Sequence, residues 1–165
     1  MEAAFATGNC GALAGDRTRL AGTGELMAQH GKPTRLLPER ISKDPLAAAV
    51  RDGDPQWAKI VNWVMEALIQ AEESGVTRAN VEAMRSRTAE AKGGDPVLWF
   101  LLGGSHQIGG EFGLDDDWVV RVMEATGNYG EIYERDLGSG SALKLPRGEN
   151  RLFEQGGLMT ALPPK

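Results

Sequence analysis

Cysteine, histidine and long apolar runs are scarce in this sequence of 165 residues, and each shortage excludes a class of site. Cys10 is the only cysteine, so neither an internal disulfide nor a zinc site of several thiolates can form. The two histidines, His30 and His106, lack acidic residues at the spacing of metal ligands or of a general base with its partner. No run reaches the roughly 18 apolar residues that a membrane-spanning helix needs. We therefore predict no metal, no cofactor and no insertion into a membrane.

Positive charge is also in short supply, and so are the motifs of enzymes. The net charge of −5 argues against nucleic acid as a partner, because phosphates attract clustered Lys and Arg. There is no Gly-x-Ser-x-Gly turn, no Cys–His pair and no isolated couple of carboxylates, so we predict that the protein is not an enzyme. The first residues lack a basic stretch followed by an apolar run, and the chain as written is expected to stay in the cytoplasm.

Glycine is abundant, with 22 residues, and it interrupts a mostly helical pattern. The strongest predicted helix has Asp54 as its cap and Pro55 at its first position, and Gly75 ends it. The face that this helix is predicted to bury consists of Trp57, Ile60, Val61, Val64, Leu68 and Ala71. A second helix is predicted to start at Thr77, followed by a polar surface loop at residues 86–95.

The later part of the chain alternates apolar helices with glycine-rich connections. A helical segment is predicted at residues 96–102, and a longer helix is predicted to carry Trp118. Asp115, Asp116 and Asp117 crowd the start of that helix, where acids complement the helix dipole; their spacing does not suit a calcium loop. Residues 103–110 lack the Gly-Lys-Ser/Thr of a phosphate loop and are predicted to be a flexible connector.

Three short segments favour strands rather than helices. Residues 9–15 are apolar and bounded by turn residues, residues 34–37 precede Pro38, and residues 46–50 form a short apolar run. Residues 109–113 are predicted to be a turn. The predicted fold class is therefore α/β, mostly helical with a few short strands.

Several motifs occur in an order that is specific to one family. They are LPERISKDPL (37–46), GDPQW (53–57), AEESGVT (71–77), ANVEAM (79–84), LDDDW (114–118) and, in a short helix between two glycines, GNYGEIYER (127–135). With Gly156-Gly157-Leu158 and Pro163-Pro164 near the end, they are spread along the chain from residue 37 to residue 164. The sequence resembles the general L-amino-acid substrate-binding proteins of ABC transporters, which have the type 2 periplasmic-binding-protein fold.

The resemblance implies a two-lobed extracytoplasmic receptor that delivers its ligand to an ABC permease. Because members of that family are about twice as long, this chain resembles their C-terminal half only. Residues 1–43 resemble the end of the second lobe and the hinge, and residues 44–165 resemble the returning part of the first lobe with its helical extension. The part that is missing supplies, in the family, the Arg that pairs with the ligand carboxylate. The family resemblance also implies a periplasmic location.

The sequence supports two interpretations of Asp16, as a helix cap and as a ligand contact. It stands before residues 17–29, where a helix is predicted, and it can act as the N-cap that accepts backbone N–H groups. In the resemblance it occupies the position of the Asp that binds the α-ammonium group of the ligand. Gly11, Ala14 and Gly15 replace polar residues of the family pattern nearby.

Our first hypothesis is a truncated amino-acid-binding module related to ABC transport. An amino-acid zwitterion needs partners at both ends in a dry cleft, so we expect weak or no binding by the isolated monomer. The strand edges and apolar helix face left without neighbours predict a homodimer or higher oligomer, with exchange of elements across residues 38–53; a rearranged, mostly helical monomer is the alternative.

The second hypothesis is a repurposed dimeric interaction or scaffold protein with no transport role. A third is one piece of a split receptor.

Overall fold

The computed structural model describes residues 1–90, 94–104 and 108–162. The described chain is mostly helical, as the sequence predicts, and it divides into two compact units. The first unit comprises Met1–Leu46 and Glu134–Pro146, and the second comprises Ala47–Tyr133 and the residues from Arg147 onward. This division into compact units is not the predicted assignment of residues 1–43 and 44–165 to the two lobes of a receptor. The lobe assignment stays a prediction.

The first unit contains helices α1 (Glu2–Ala6) and α2 (Arg17–Gln29). The Arg19 guanidinium donates to the Glu2 carboxylate at 2.8 Å, and the ammonium group of Lys32 donates to the Ala6 carbonyl at 2.6 Å. Gly24 lies where α2 meets the following segment, since a Cβ there would be 2.9 Å from the Thr34 hydroxyl oxygen. A glycine that weakens α2 in isolation therefore permits close packing within this unit.

The three strands predicted at residues 9–15, 34–37 and 46–50 do not form. None of these segments pairs with another in the described chain, and the one bridge present joins Leu152 to Met159. The prediction failed because apolar composition gives a segment strand propensity, whereas a strand exists only when a neighbour supplies the hydrogen-bonding partners. Residues 32–51 have neither helix nor strand nor hydrogen-bonded turn, and every one of them is exposed.

The second unit is a helical assembly. Its helices are α3 (Pro55–Glu73), α4 (Val81–Glu90), α5 (Pro96–Leu101), α6 (Ile108–Phe112), α7 (Trp118–Thr126) and the start of α8 (Tyr129–Asp136), followed by 3-10 turns at Gly148–Asn150 and Phe153–Gln155. The buried core is formed by Ala67, Leu68, Ala71, Val76, Val81, Leu101, Leu102, Trp118, Val119, Val120 and Met123. No helix among the described residues combines the length and the apolar character needed to cross a bilayer.

Caps set the starts of two helices in this unit. The Asp54 carboxylate accepts from the Trp57 backbone N–H at 2.9 Å, and Pro55 occupies the first helical position, which confirms the predicted start of α3. The Asp95 carboxylate accepts in the same way from Val97 at the start of α5. The side chain of Trp57 is 51% exposed, so its assignment to the buried face of α3 is wrong.

Both ends of α4 and one predicted turn differ from the prediction. Helix α4 starts at Val81 instead of Thr77, because the Asn80 side chain accepts from the Thr77 N–H and donates to the Gly75 carbonyl in a turn. The helix then continues to Glu90 through a stretch predicted to be a loop, since buried Val81 anchors it to the core and the polar residues that follow cover an exposed face. Residues predicted to be a turn at 109–113 largely form α6.

Candidate functional site

The first unit contains a cavity of ≈ 270 Å³ beside α1 and α2. Its lining residues are Met1, Glu2, Ala3, Leu13, Ala14, Gly15, Arg19 and Leu20. The segment 13–15 forms one wall and leads directly into Asp16, the residue that the sequence singled out. Asp16 is not itself a lining residue, but it directly follows the lining residue Gly15 in the chain, and both belong to the same compact unit.

Asp16 occupies the N-cap position of α2, with extended backbone angles of φ −60° and ψ 137°. The prediction of its position is confirmed, but the expected capping bond is absent: the Asp16 carboxylate accepts no backbone N–H of α2. Asp16 is exposed, and its negative charge raises the pKa of Arg19, after the larger effect of Glu2. Its role toward a ligand stays a prediction.

The sequence does not predict the ion pair between Glu2 and Arg19 on the cavity wall. The hydrogen bond from Arg19 lowers the pKa of the Glu2 carboxyl, and the same bond raises the pKa of the Arg19 guanidinium. Glu2 and Arg19 are 17 positions apart and lie on different helices, so no local motif marks them. Their pairing places charges of both signs beside the cavity, in addition to the charge of Asp16.

The other polar clusters singled out by the sequence have structural roles. Asp115 and Asp117 pair with Arg121 at 2.9 Å and 3.0 Å, and Asp117 is the N-cap residue of α7 without a capping bond from its side chain. The Nδ1 atom of His30 lies 2.8 Å from the Leu26 carbonyl oxygen at the end of α2. His106 and the centre of the predicted connector at 103–110 lie outside the described residues. Within the described part of the chain no group of three metal-ligating side chains forms.

The family-like sequence at 127–135 forms a reciprocal cap at the start of α8. The Asn128 side-chain oxygen accepts from the Glu131 N–H at 2.9 Å, and the Glu131 carboxylate accepts from the Asn128 N–H at 2.9 Å. The same two side chains also reach the loop after α3: Asn128 donates to the Val76 carbonyl, and Glu131 accepts from the Arg78 N–H. Gly127 precedes the cap with a φ of 78°.

The next residues of this motif surround an ion pair between Glu72 and Arg147. The pair has two hydrogen bonds, one of them 3.0 Å long, and both side chains are 11% exposed. The Arg147 guanidinium lies 5.5 Å from the ring centre of Tyr129 and 5.7 Å from that of Tyr133. Gly130 fits here because a Cβ would approach the Glu72 carboxylate to 2.8 Å. The motif therefore holds the second unit together and does not contribute to the cavity of the first.

The environment of Tyr129 predicts a pH dependence of stability at high pH. Burial raises the pKa of Tyr129 above its usual value of 10.0, and the Arg147 guanidinium opposes the rise. The folded state therefore retains the phenolic proton where the unfolded chain has lost it, so stability is complete below about pH 10 and falls as the pH rises through the folded pKa. Urea unfolding from pH 8 to pH 11 should show this fall, and it should be shallower in Tyr129→Phe. An equal slope in both proteins would contradict the assignment.

Comparison with known proteins identifies relatives along almost the whole chain. The General L-amino acid-binding periplasmic protein AapJ of Rhizobium johnstonii is 41% identical over 165 residues, which is 99% of this chain and 46% of the relative. The Glutamate/glutamine/aspartate/asparagine-binding protein BztA of Rhodobacter capsulatus is 40% identical over 96% of this chain and 45% of its own length. No family model matches the chain. The chain spans about half the length of the curated relatives it matches.

A solved structure agrees with the sequence relatives. It is an ABC transporter periplasmic binding protein from Brucella ovis with glutathione bound, and it superposes with a TM-score of 0.85 at 43% identity over 98% of this chain and 49% of that chain. The chain is thus a homologue of the periplasmic binding proteins of ABC transporters, over about half of their length. Within that class, its relatives are the amino-acid-binding proteins. The prediction of a mostly helical half of the periplasmic-binding-protein fold is confirmed.

Proposed function

We propose that this chain is part of a periplasmic receptor that binds amino acids for an ABC permease, and that it acts by binding rather than by catalysis. The observation that carries the proposal is the cavity of the first unit, whose wall ends at Gly15 next to Asp16 in the chain, in a protein homologous to amino-acid-binding proteins. The names of the relatives describe them as binding proteins, and the names of AapJ and BztA give amino acids as the ligands. The lobe assignment, 1–43 and 44–165, is part of the same proposal.

The ligand class that fits is a molecule with an α-amino-acid head group. The relatives' names give L-amino acids in general and glutamate, glutamine, aspartate and asparagine in particular, and the Brucella protein holds glutathione. Glutathione ends in a γ-glutamyl residue that carries the same α-ammonium and α-carboxylate groups. We propose that Asp16 pairs with that ammonium group. The Glu2–Arg19 ion pair lies on the cavity wall beside it.

Binding by this chain alone is expected to be weak. Asp16 offers one charge to a ligand that has two, and a charge that is taken out of water without a partner opposes binding. Asp16 is itself exposed, so its attraction to an ammonium group is screened by water and salt. We therefore expect millimolar rather than micromolar dissociation constants.

Asp16→Asn is the variant that tests this role. Asparagine loses the charge, and Asp16 makes no capping bond that the change could remove, so we expect ligand binding to weaken about two- to fivefold while stability is unchanged. The measurement is a chemical-shift titration of the labelled chain with L-glutamate, L-asparagine and glutathione in separate runs. Asp44→Asn is the matched control, because Asp44 is exposed in the same unit but, unlike Asp16, is not adjacent in the chain to any residue that lines the cavity. Wild-type affinity in Asp16→Asn, or no saturable shift in the wild type, would contradict the proposal.

A second candidate is a dimeric scaffold that no longer serves transport. It is favoured by the exposed apolar side chains of Leu37, Ile41 and Leu46, which are 54%, 91% and 78% exposed. Light scattering over a range of concentrations tests it. A mass that rises to twice that of the chain, together with no shift by any of the three ligands, would favour the scaffold; a monomer at every concentration would exclude it.

A further inference from the structure

The wall of the cavity in the first unit has one side chain that donates hydrogen bonds, that of Arg19. The other lining residues are apolar, apart from the acidic Glu2. Arg19 donates through Nε to Oε1 of Glu2 at 2.8 Å, and its side chain is 69% exposed. Its two Nη atoms donate to no residue that the structure describes. Two parallel N–H donors of the guanidinium are therefore left to bind an occupant of the cavity.

The stability of the fold does not account for a cation at this position. Arg19 lies in the first turn of α2, where the positive end of the helix dipole opposes a positive charge. It is the third residue of the helix, at which a capping box has Glu or Gln instead. The ion pair with Glu2 is exposed on both sides, so water screens it and it adds little to stability. The cavity is the remaining feature that this side chain contacts.

We propose that Arg19 binds the side-chain carboxylate of an acidic amino acid, so that the cavity prefers glutamate to its amide, glutamine. The inference rests on the proposed function, in which Asp16 pairs with the ammonium group of the ligand. A guanidinium donates two parallel hydrogen bonds to a carboxylate, whereas an amide has neither the charge nor the second acceptor oxygen. The preference of this chain for one charge on the ligand is thereby assigned to one residue.

The positions of Asp16 and Arg19 allow one ligand to contact both. They are the N-cap and the third residue of α2, positions whose side chains meet across the first turn in a capping box. In glutamate, three carbon atoms separate the ammonium nitrogen from the carboxyl carbon of the side chain. The α-carboxylate is only one carbon from the ammonium group and would lie against the carboxylate of Asp16. The side-chain carboxylate is therefore the one that we assign to Arg19.

Glu2 limits the strength of this preference. Its hydrogen bond from Arg19 lowers the pKa of the Glu2 carboxyl, so Glu2 is ionised at neutral pH and balances the charge of the guanidinium. An incoming carboxylate is attracted less than it would be by an unpaired cation. Glu2→Gln retains an oxygen that can accept from Nε and removes the opposing charge. This substitution should therefore raise the affinity for glutamate and leave the affinity for glutamine unchanged.

Chemical-shift titrations of the labelled chain with L-glutamate and L-glutamine test the inference. The wild type should bind glutamate about two- to fivefold more tightly than glutamine, because the contact is partly exposed to water. Arg19→Gln should abolish this difference. Glu2→Gln should widen it by about two- to fivefold, and it should have no effect when Arg19→Gln is also present. Arg17→Gln is the matched control: it removes the same charge from the same helix, at a residue that does not line the cavity.

Glutarate serves as a third probe, because it has two carboxylates and no ammonium group for Asp16. Its binding should be lost in Arg19→Gln and retained in Asp16→Asn. Equal affinities for glutamate and glutamine in the wild type would overturn the inference while the proposed function stands, as would a preference that survives Arg19→Gln or falls equally in Arg17→Gln. Glutarate binding that depends on Arg19, with no saturable shift by either amino acid, would support the carboxylate contact and contradict the proposed function. No saturable shift with any of the three probes would overturn both.

Discussion

Replacing Arg147 with alanine is expected to lower the free energy of unfolding of the second unit by about 3–5 kcal/mol. The substitution leaves the Glu72 carboxylate, whose side chain is only 11% exposed, without its partner. It also removes the cation from beside the rings of Tyr129 and Tyr133 and the donor to the Asn150 carbonyl. The measurement is urea unfolding followed by circular dichroism, with tryptophan fluorescence as a second probe.

Arg121 supplies the matched control, because it also pairs with carboxylates but is 61% exposed in its side chain. Arg121→Ala should shift the unfolding midpoint by no more than the error of the measurement, since solvent screens its pairs with Asp115 and Asp117. The double variant with Glu72→Gln should recover part of the stability lost in Arg147→Ala, because the uncompensated charge is then gone. Equal losses in Arg147→Ala and Arg121→Ala would show that burial of the pair does not determine its contribution.

The contrast between the caps and the strands shows which features the sequence could predict. Asp54 and Pro55 determine the start of α3 through contacts within three residues, so the local pattern was enough. The segments 9–15, 34–37 and 46–50 have strand-like composition, but pairing needs distant partners that are absent from the described chain. Features determined by contacts within a few residues can therefore be predicted from this sequence, whereas features that need a distant partner cannot.

The candidate site was predictable to a similar degree. Asp16 was found from the resemblance, and its position at the start of α2 was found from the residues that follow it. The pairing of Glu2 with Arg19 was missed because it joins two helices across an irregular connection. The pairing of Glu72 with Arg147 was missed for the same reason, with 75 positions between the two residues. Two tyrosines and a glycine in one short motif were the only signal that a buried cation lay nearby.

Asn128→Ala is the other substitution with a large expected effect, about 2–4 kcal/mol of lost stability. Asn128 is the one buried polar residue identified in the described chain, at 5% exposure. Its side chain caps α8 through the Glu131 N–H and donates to the Val76 carbonyl 52 positions away. Alanine removes the cap and leaves the Val76 carbonyl without that donor. Urea unfolding measures the total loss.

Asn128→Asp separates the two contributions, because aspartate keeps the capping oxygen and loses the donor. Asn80→Ala is the matched control: Asn80 also bonds one backbone N–H and one carbonyl, but its bonds stay within five residues and close to solvent. If Asn128 acts mainly as a cap, its alanine variant should resemble Asn80→Ala, at about 1 kcal/mol. If its main contribution is the hydrogen bond that links α8 to the loop after α3, Asn128→Asp should be nearly as unstable as Asn128→Ala. We expect the second result, because the bond to Val76 is buried and water cannot replace it.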